Sequence, residues 1–151
     1  MFFGGNPINL DAKGRMALPT RFRESLAECC NGRLTMTVHH QDRCLLLYPY
    51  PEWEEIQRKL TRLPNQDKQT RWLQRMVLGH AVEVEMDGSG RVVIPPRLRA
   101  HANLDKRVVL AGLGNKFEIW NEEVWDHTRD EWINEDHADT DLPDTLGSLA
   151  L

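Results

Sequence analysis

The sequence predicts an α+β protein in which two copies of one β-hairpin unit pack about a pseudo-twofold axis. Three observations carry that expectation. First, Asn9-Leu10-Asp11-Ala12-Lys13-Gly14-Arg15-Met16-Ala17-Leu18-Pro19 is answered by Glu85-Met86-Asp87-Gly88-Ser89-Gly90-Arg91-Val92-Val93-Ile94-Pro95. Asp11, Gly14, Arg15, Pro19 and Arg21 stand 76 residues before Asp87, Gly90, Arg91, Pro95 and Arg97. Second, Leu47-Tyr48-Pro49-Tyr50-Pro51-Glu52-Trp53 falls over Ile119-Trp120-Asn121-Glu122-Glu123-Val124-Trp125 at an offset of 72, so the second copy is 4 residues shorter between the two blocks. Third, a unit of about 45 residues cannot bury a core by itself, so the two copies must share one.

Each element has a local reason. Ile8 and Leu10, and later Val82, Val84 and Met86, alternate with the period of a half-buried strand. Asp-Ala-Lys-Gly and Asp-Gly-Ser-Gly then turn the chain: Asp11 and Asp87 accept backbone N–H groups, and Gly14 and Gly90 supply the positive φ of a tight reversal. Met16–Leu18 and Val92–Ile94 return as strands. Pro19 and Pro95-Pro96 open short helices expected over 20–28 and 96–102, because the missing proline N–H has no partner in a first helical turn. Strands are expected at Leu34–Val38, Cys44–Tyr48, Val108–Leu113 and Phe117–Trp120. Between the copies, Pro51 opens a helix carrying Trp53, Ile56, Leu60 and Leu63, and Gln66 starts a second carrying Trp72, Leu73, Met76 and Val77, with Gly79 at its C-terminal stop. A last helix, Glu122–Ile133, is capped by Asn121. The resulting organisation is a first repeat over 5–53, a helical connector over 54–80, a second repeat over 81–125, and a helix end with acidic tail over 126–151.

Composition narrows the function. With 151 residues and 40% hydrophobic residues, the chain suits one compact domain with an appendage. No basic n-region and no apolar run of about 20 residues stands in it, so a cytoplasmic protein without membrane contact is expected. Cys29, Cys30 and Cys44 form neither a disulfide framework nor a C-x-x-C ligand pair. The net charge of −4 is unevenly divided: residues 1–120 hold 18 Lys and Arg against 13 Asp and Glu (+5), whereas residues 121–151 hold 1 Arg against 10 acids (−9). A basic body with an acidic tail is compatible with a DNA partner.

Asn-Leu-Asp-x-Lys-Gly-Arg at Asn9–Arg15, Leu-Leu-Leu-Tyr-Pro-x-Pro-Glu-Trp at Leu45–Trp53, Leu-Gly-His-Ala at Leu78–Ala81, Met-Asp-Gly-x-Gly-Arg at Met86–Arg91 and Asn115-Lys116-Phe117-Glu118 together resemble the MraZ family of bacterial transcription regulators. These are tandem relatives of the AbrB-like swapped-hairpin DNA-binding domains, and the resemblance spans nearly the whole chain. It implies two AbrB-like repeats closing a pseudo-twofold β-barrel, with helical extensions that join subunits into a ring-shaped homo-oligomer. It also implies a repressor of its own operon, the division and cell-wall gene cluster, bound to direct DNA repeats and associated with the nucleoid. The family's Asp-x-x-x-Arg motif maps onto Asp11 to Arg15 and Asp87 to Arg91.

Arg15 and Arg91 are the candidate base readers, since an arginine past a hairpin turn can donate two hydrogen bonds to guanine O6 and N7. Lys13, Arg21 and Arg97, with Arg23 and Arg99 beside them, are candidates for phosphate neutralisation. Ser89 stands where the first copy has Lys13, so the two hairpins are expected to differ in strength. On spacing alone, Asp-x-x-x-Arg reads equally as an ion pair that only stiffens the turn. A solvated helix face reads equally well for the flanking arginines. His39-His40-x-Asp42 and His80-x-x-Glu83 lack a third ligand, and no cysteine has an identifiable base, so no metal, cofactor, small-molecule substrate or catalytic residue is assigned. Gly88-Ser89, a dipeptide that self-cleaves in a related barrel type, is better explained as part of the repeated turn. The competing readings are a ring-shaped protein-binding scaffold without DNA specificity and, below it, an antitoxin with a toxin-binding tail.

Overall fold

The computed structural model of the chain describes residues 1–135; the acidic tail expected beyond them lies outside the described residues. In chain order the elements are β1 (Phe2–Asn9), β2 (Arg15–Ala17), α1 (Thr20–Cys30), β3 (Arg33–Val38), β4 (Leu45–Pro49), α2 (Tyr50–Arg62) and α3 (Lys68–Val77). They continue with β5 (Val82–Glu85), β6 (Arg91–Val93), α4 (Pro96–His101), β7 (Arg107–Gly114), β8 (Phe117–Asn121) and α5 (Glu122–Asn134).

The strands exchange partners between the repeats. One antiparallel sheet of 6 strands runs β1-β7-β8-β4-β3-β5, symmetric about the junction of β8 with β4. The first strand of each repeat lies on the third strand of the other: β1 pairs with β7 from Phe2 opposite Gly114 to Asn9 opposite Arg107, and β5 pairs with β3 from Glu85 opposite Arg33 to Val82 opposite Met36. Single bonds extend both pairings, from the Leu10 amide to the Lys106 carbonyl at 2.8 Å and from the Met86 amide to the Gly32 carbonyl at 2.9 Å. The second strands, β2 and β6, pair only with each other and form a separate two-stranded ribbon.

This corrects the expected closed barrel. β2 and β6 have 3 residues each before Pro19 and Pro95 turn the chain into α1 and α4, and β2 meets its own hairpin arm only at the bridge between Leu10 and Met16. The ladder therefore stays open at both sheet edges, and the ribbon lies over one face of the sheet instead of completing a cylinder.

The core fills the space between sheet and ribbon. Met16 and Leu18 from one repeat, with Val92 and Ile94 from the other, meet Phe22, Leu26 and Leu98 of the helices and Leu34, Met36, Leu45, Leu47, Leu110, Phe117 and Ile119 of the sheet. All are buried, and each contributes about 1.5–3 kcal/mol when an aliphatic or aromatic side chain leaves water. Period-two alternation sends the intervening residues to the other face. There Leu46 and Tyr48 pack under α2 and α3, and Val109, Trp120 and Cys44 pack under α5. The ribbon and the long helices thus occupy opposite faces of one sheet.

Three details depart from the local expectations. β1 starts at Phe2, although Gly4, Gly5 and Pro7 are poor strand formers. Its pairing with β7 overrides them, and Pro7 is tolerated because β1 is an edge strand. α1 runs to Cys30, where Asn31 takes a left-handed φ of 55° and the amides of Asn31 and Gly32 return to the carbonyls of Ala27 and Leu26. Gly79 follows α3 without a positive φ; it is needed for space, since a Cβ there would lie 2.3 Å from the Arg75 carbonyl oxygen.

Candidate nucleic-acid interface

The two turns are built identically. Asp11 Oδ1 accepts from the amides of Lys13 and Arg15, both at 2.9 Å, and the Gly14 amide donates to the Asp11 carbonyl at 3.0 Å. Asp87 Oδ1 accepts from the amides of Ser89 and Arg91, both at 2.9 Å, and the Gly90 amide donates to the Asp87 carbonyl at 2.9 Å. Gly14 and Gly90 both have φ near 75°, which an L side chain adopts only with strain. The remaining carboxylate oxygen takes the arginine: Arg15 Nε donates to Asp11 Oδ2 at 2.6 Å and Arg91 Nε to Asp87 Oδ2 at 3.0 Å.

That ion pair engages Nε, and among the described residues nothing else holds the two terminal nitrogens of either guanidinium. The aspartates therefore orient forks that still have donors to offer. Neither alternative reading of Asp-x-x-x-Arg excludes the other: the pair stiffens the turn and also aims the arginine.

The strand register sets the two arginines side by side. Arg15 lies opposite Val93, Met16 opposite Val92 and Ala17 opposite Arg91. Met16 and Val92 point into the core, so Arg15, Ala17, Arg91 and Val93 share the outward face of the ribbon. Arg15 and Arg91 stand on one diagonal of that face, where residues are about 7–8 Å apart. A two-stranded ribbon of this kind is of a size that the major groove admits.

The donors around each Asp hold its carboxyl below the ordinary carboxylate value; the amide of Arg15 does most for Asp11, and that of Arg91 does most for Asp87. A carboxyl depressed in the folded state stabilises the fold above its unfolded pKa, and that contribution is lost as pH falls through the folded value. Asp11→Asn with Asp87→Asn keeps the Oδ1 acceptors but removes the charge. Denaturant midpoints are therefore expected to separate this variant from the parent at pH 7, the gap narrowing as pH falls below about 4, the ordinary carboxylate value, and closing only below the depressed folded value. A gap of constant size down to pH 3 would show that the charge contributes nothing.

The flanking cations divide into three groups. Lys13 and Arg97 are exposed, and the described residues give Arg97 no partner. Arg21 is tied back, donating from Nη2 to the Asn6 side-chain carbonyl and stacking 4.4 Å above its neighbour's ring at Phe22. Its counterpart Arg97 lacks this anchor because the residue equivalent to Asn6 is Val82. Arg23 and Arg99 are braces: Arg23 Nε donates to the Leu18 carbonyl at 2.6 Å and Arg99 Nε to the Ile94 carbonyl at 3.0 Å. Each guanidinium covers the turn glycine of the opposite repeat, Arg23 over Gly90 and Arg99 over Gly14. The bracing role escapes sequence reasoning because both partners are backbone groups. Its one legible signal is the repetition of Arg23 as Arg99 at the offset of 76.

Groups elsewhere are committed to other contacts. His39 Nδ1 accepts from the amides of Gln41 and Asp42, and His80 Nδ1 lies 2.7 Å from the Met76 carbonyl. Burial pushes the Cys29 thiol up to about 11 and that of Cys44 higher still, away from the reactive thiolate.

The family described as "MraZ protein, putative antitoxin-like" matches the chain twice, over residues 1–76 and 77–144. Among similar curated proteins, those of Thioalkalivibrio sulfidiphilus and Halorhodospira halophila are 54% and 51% identical, each match spanning 100% of both chains. That of Methylococcus capsulatus is 55% identical over 99% of both. All three carry the name transcriptional regulator MraZ. The family model matches the chain in two consecutive stretches, and with full-length relatives at this identity these matches show that the chain belongs to the MraZ family.

Proposed function

We propose that this protein is a sequence-specific DNA-binding regulator of transcription, with the β2–β6 ribbon as its reading head. The observation that carries the proposal is the shared outward face of Arg15 and Arg91, both aimed by aspartates through Nε with their terminal nitrogens open. In this reading Arg15 and Arg91 donate to guanine edges. Lys13 and Arg97 neutralise phosphates beside them, and Arg21 joins once released from Asn6. The reader units are the repeats at 5–53 and 81–125, joined by the connector at 54–80, and no catalytic step is involved. The relatives' name supports regulation of transcription, and the family resemblance supports repression of the chain's own division and cell-wall operon in the cytoplasm, at the nucleoid.

A single ribbon offers two arginines, enough for a short half-site. A ring of subunits presents the same ribbon in series, so direct repeats about one helical turn apart engage neighbouring subunits by avidity. Such a ring needs a head-to-tail interface, which suits direct rather than palindromic repeats.

A salt-resolved anisotropy titration on the chain's own upstream DNA and on a scrambled duplex of equal length tests this. Tighter binding to the upstream DNA at every salt concentration is expected, with both affinities falling as salt rises. Equal affinity for the two duplexes, or none for either, would overturn the proposal.

A further inference from the structure

The outward face of the ribbon carries one large side chain that the arginines leave without a task. Its four residues are Arg15, Ala17, Arg91 and Val93, and the repeat makes Val93 the counterpart of Ala17. Val93 is 49% exposed, whereas its neighbour Val92 is fully buried. It belongs to none of the three core clusters of the described residues. A lone valine on an ordinary surface would mean nothing. This one shares a face with Arg15 and Arg91, where the other long side chains are both cations.

Strand formation does not account for it. Branched residues suit strands and alanine suits them poorly. Yet β2 forms with Ala17 at the equivalent place, and it has the same 3-residue length as β6. The ribbon therefore pairs without a branched residue there.

Position supplies another reason. Val93 lies directly opposite Arg15, and Cβ atoms so placed are about 4.5–5.5 Å apart. Bases along one DNA strand are spaced by about 3.4 Å, so the isopropyl group comes over a base within one or two steps of the guanine assigned to Arg15. The apolar group on the major-groove edge of an unmodified base pair is the thymine C5-methyl, and side chains as short as alanine and threonine reach it.

We infer that Val93 is a specificity-determining residue that packs on a pyrimidine 5-methyl group in the major groove, beside the guanine taken by Arg15. The inference rests on the ribbon being the reading head. Ala17 puts a single carbon opposite Arg91 where Val93 puts three opposite Arg15, so the two halves of the bound site differ. Two equivalent arginines about a pseudo-twofold axis would let the ribbon dock either way round. Val93 gives it one polarity, which a direct repeat requires.

In the test, each thymine of the upstream duplex is replaced singly by deoxyuridine, which lacks only the methyl. Affinity is measured for the full-length parent, Val93→Ser and Val93→Ile, with melting midpoints to check that the variants are folded. One replacement, near a guanine, is expected to weaken the parent about fourfold, the value of one buried carbon. Val93→Ile should keep that loss, and Val93→Ser should bind the two duplexes alike. A cytosine at the same place, with and without a 5-methyl group, separates the sources of the methyl. A similar gain on methylation, absent in Val93→Ser, would support the contact with either base, and no gain would assign it to thymine alone. If no thymine is sensitive in the parent, or if Val93→Ser keeps the sensitivity, the inference falls while the reading head stands. If the parent does not prefer the unmodified upstream duplex to the scrambled one, the proposed function fails and this inference fails with it.

Discussion

The double variant Arg15→Ala/Arg91→Ala is expected to lose all preference for the upstream DNA over a scrambled duplex while keeping its fold and its assembly state. Each bidentate contact of arginine with guanine is worth about 1–3 kcal/mol of discrimination. Two together correspond to roughly thirtyfold to twenty-thousandfold in relative affinity. The fold should survive because the pairs with Asp11 and Asp87 are partly exposed, and solvent screens such pairs. Residual binding through Lys13 and Arg97 should remain and should weaken with salt equally on both duplexes. Arg15→Lys/Arg91→Lys sharpens the test, since lysine keeps the charge but lacks the planar fork. It should retain non-specific affinity and still lose the preference. If the preference persists in either double variant, the ribbon is not the reader. The single variants should differ, because Lys13 stands beside Arg15 whereas Ser89 stands beside Arg91.

The largest loss of stability is expected from Gly90→Val. The position has φ 75°, and its Cβ would lie 2.3 Å from Arg23 Nε. A non-glycine residue in that conformation costs about 1–3 kcal/mol, with a β-branched one at the upper end. Displacing Arg23 also breaks its bond to the Leu18 carbonyl, a charged hydrogen bond worth about 1.5–3 kcal/mol. A combined loss of about 2.5–6 kcal/mol lowers the melting temperature by roughly 5–24 °C in a chain of this size. The contact can be isolated with Gly90→Ala. In an Arg23→Ala background the steric part is gone, and the cost of Gly90→Ala should shrink to that of the backbone conformation alone. An undiminished cost there would mean that Arg23 does not brace the turn.

Much of the architecture was legible because its signals are local and stated twice. Asp11 with Gly14 and Asp87 with Gly90 mark reversals; Pro19 and Pro95 mark the passage from strand to helix; Asn121 caps α5 by accepting from the Val124 amide at 3.1 Å. What was not legible depends on which strand meets which. Nothing in the alternation of Ile8 and Leu10 says that β1 lies on β7, and Gly4, Gly5 and Pro7 argue locally against a strand that the pairing nevertheless imposes. The open ladder follows from the same non-local choice, since strands as short as β2 and β6 cannot reach both neighbours. For the site, the sequence marks Arg15 and Arg91 by repetition, but their common face is visible only once the register of Met16 with Val92 is known. Arg23 and Arg99 appeared as interchangeable surface cations because their partners, a backbone carbonyl and a glycine of the other repeat, leave no side-chain pattern.

The exchange of strands between repeats also governs how the molecule comes into being. β1 leaves the ribosome well before its partner, which spans Arg107–Gly114, and the ribbon needs residues 91–93 before residues 15–17 can pair. Neither repeat can complete its part of the sheet on its own, so folding waits for most of the chain and then must close long loops at once, the topology that folds slowly. In the interval the unpaired edges of β1 and β3 are exposed to other nascent chains, and a repeat that finds the complementary half of a second molecule satisfies the same ladders as one that finds its own. Domain-swapped dimers are thus the natural misassembly of this fold, and their yield should rise with the concentration at which the chain is refolded.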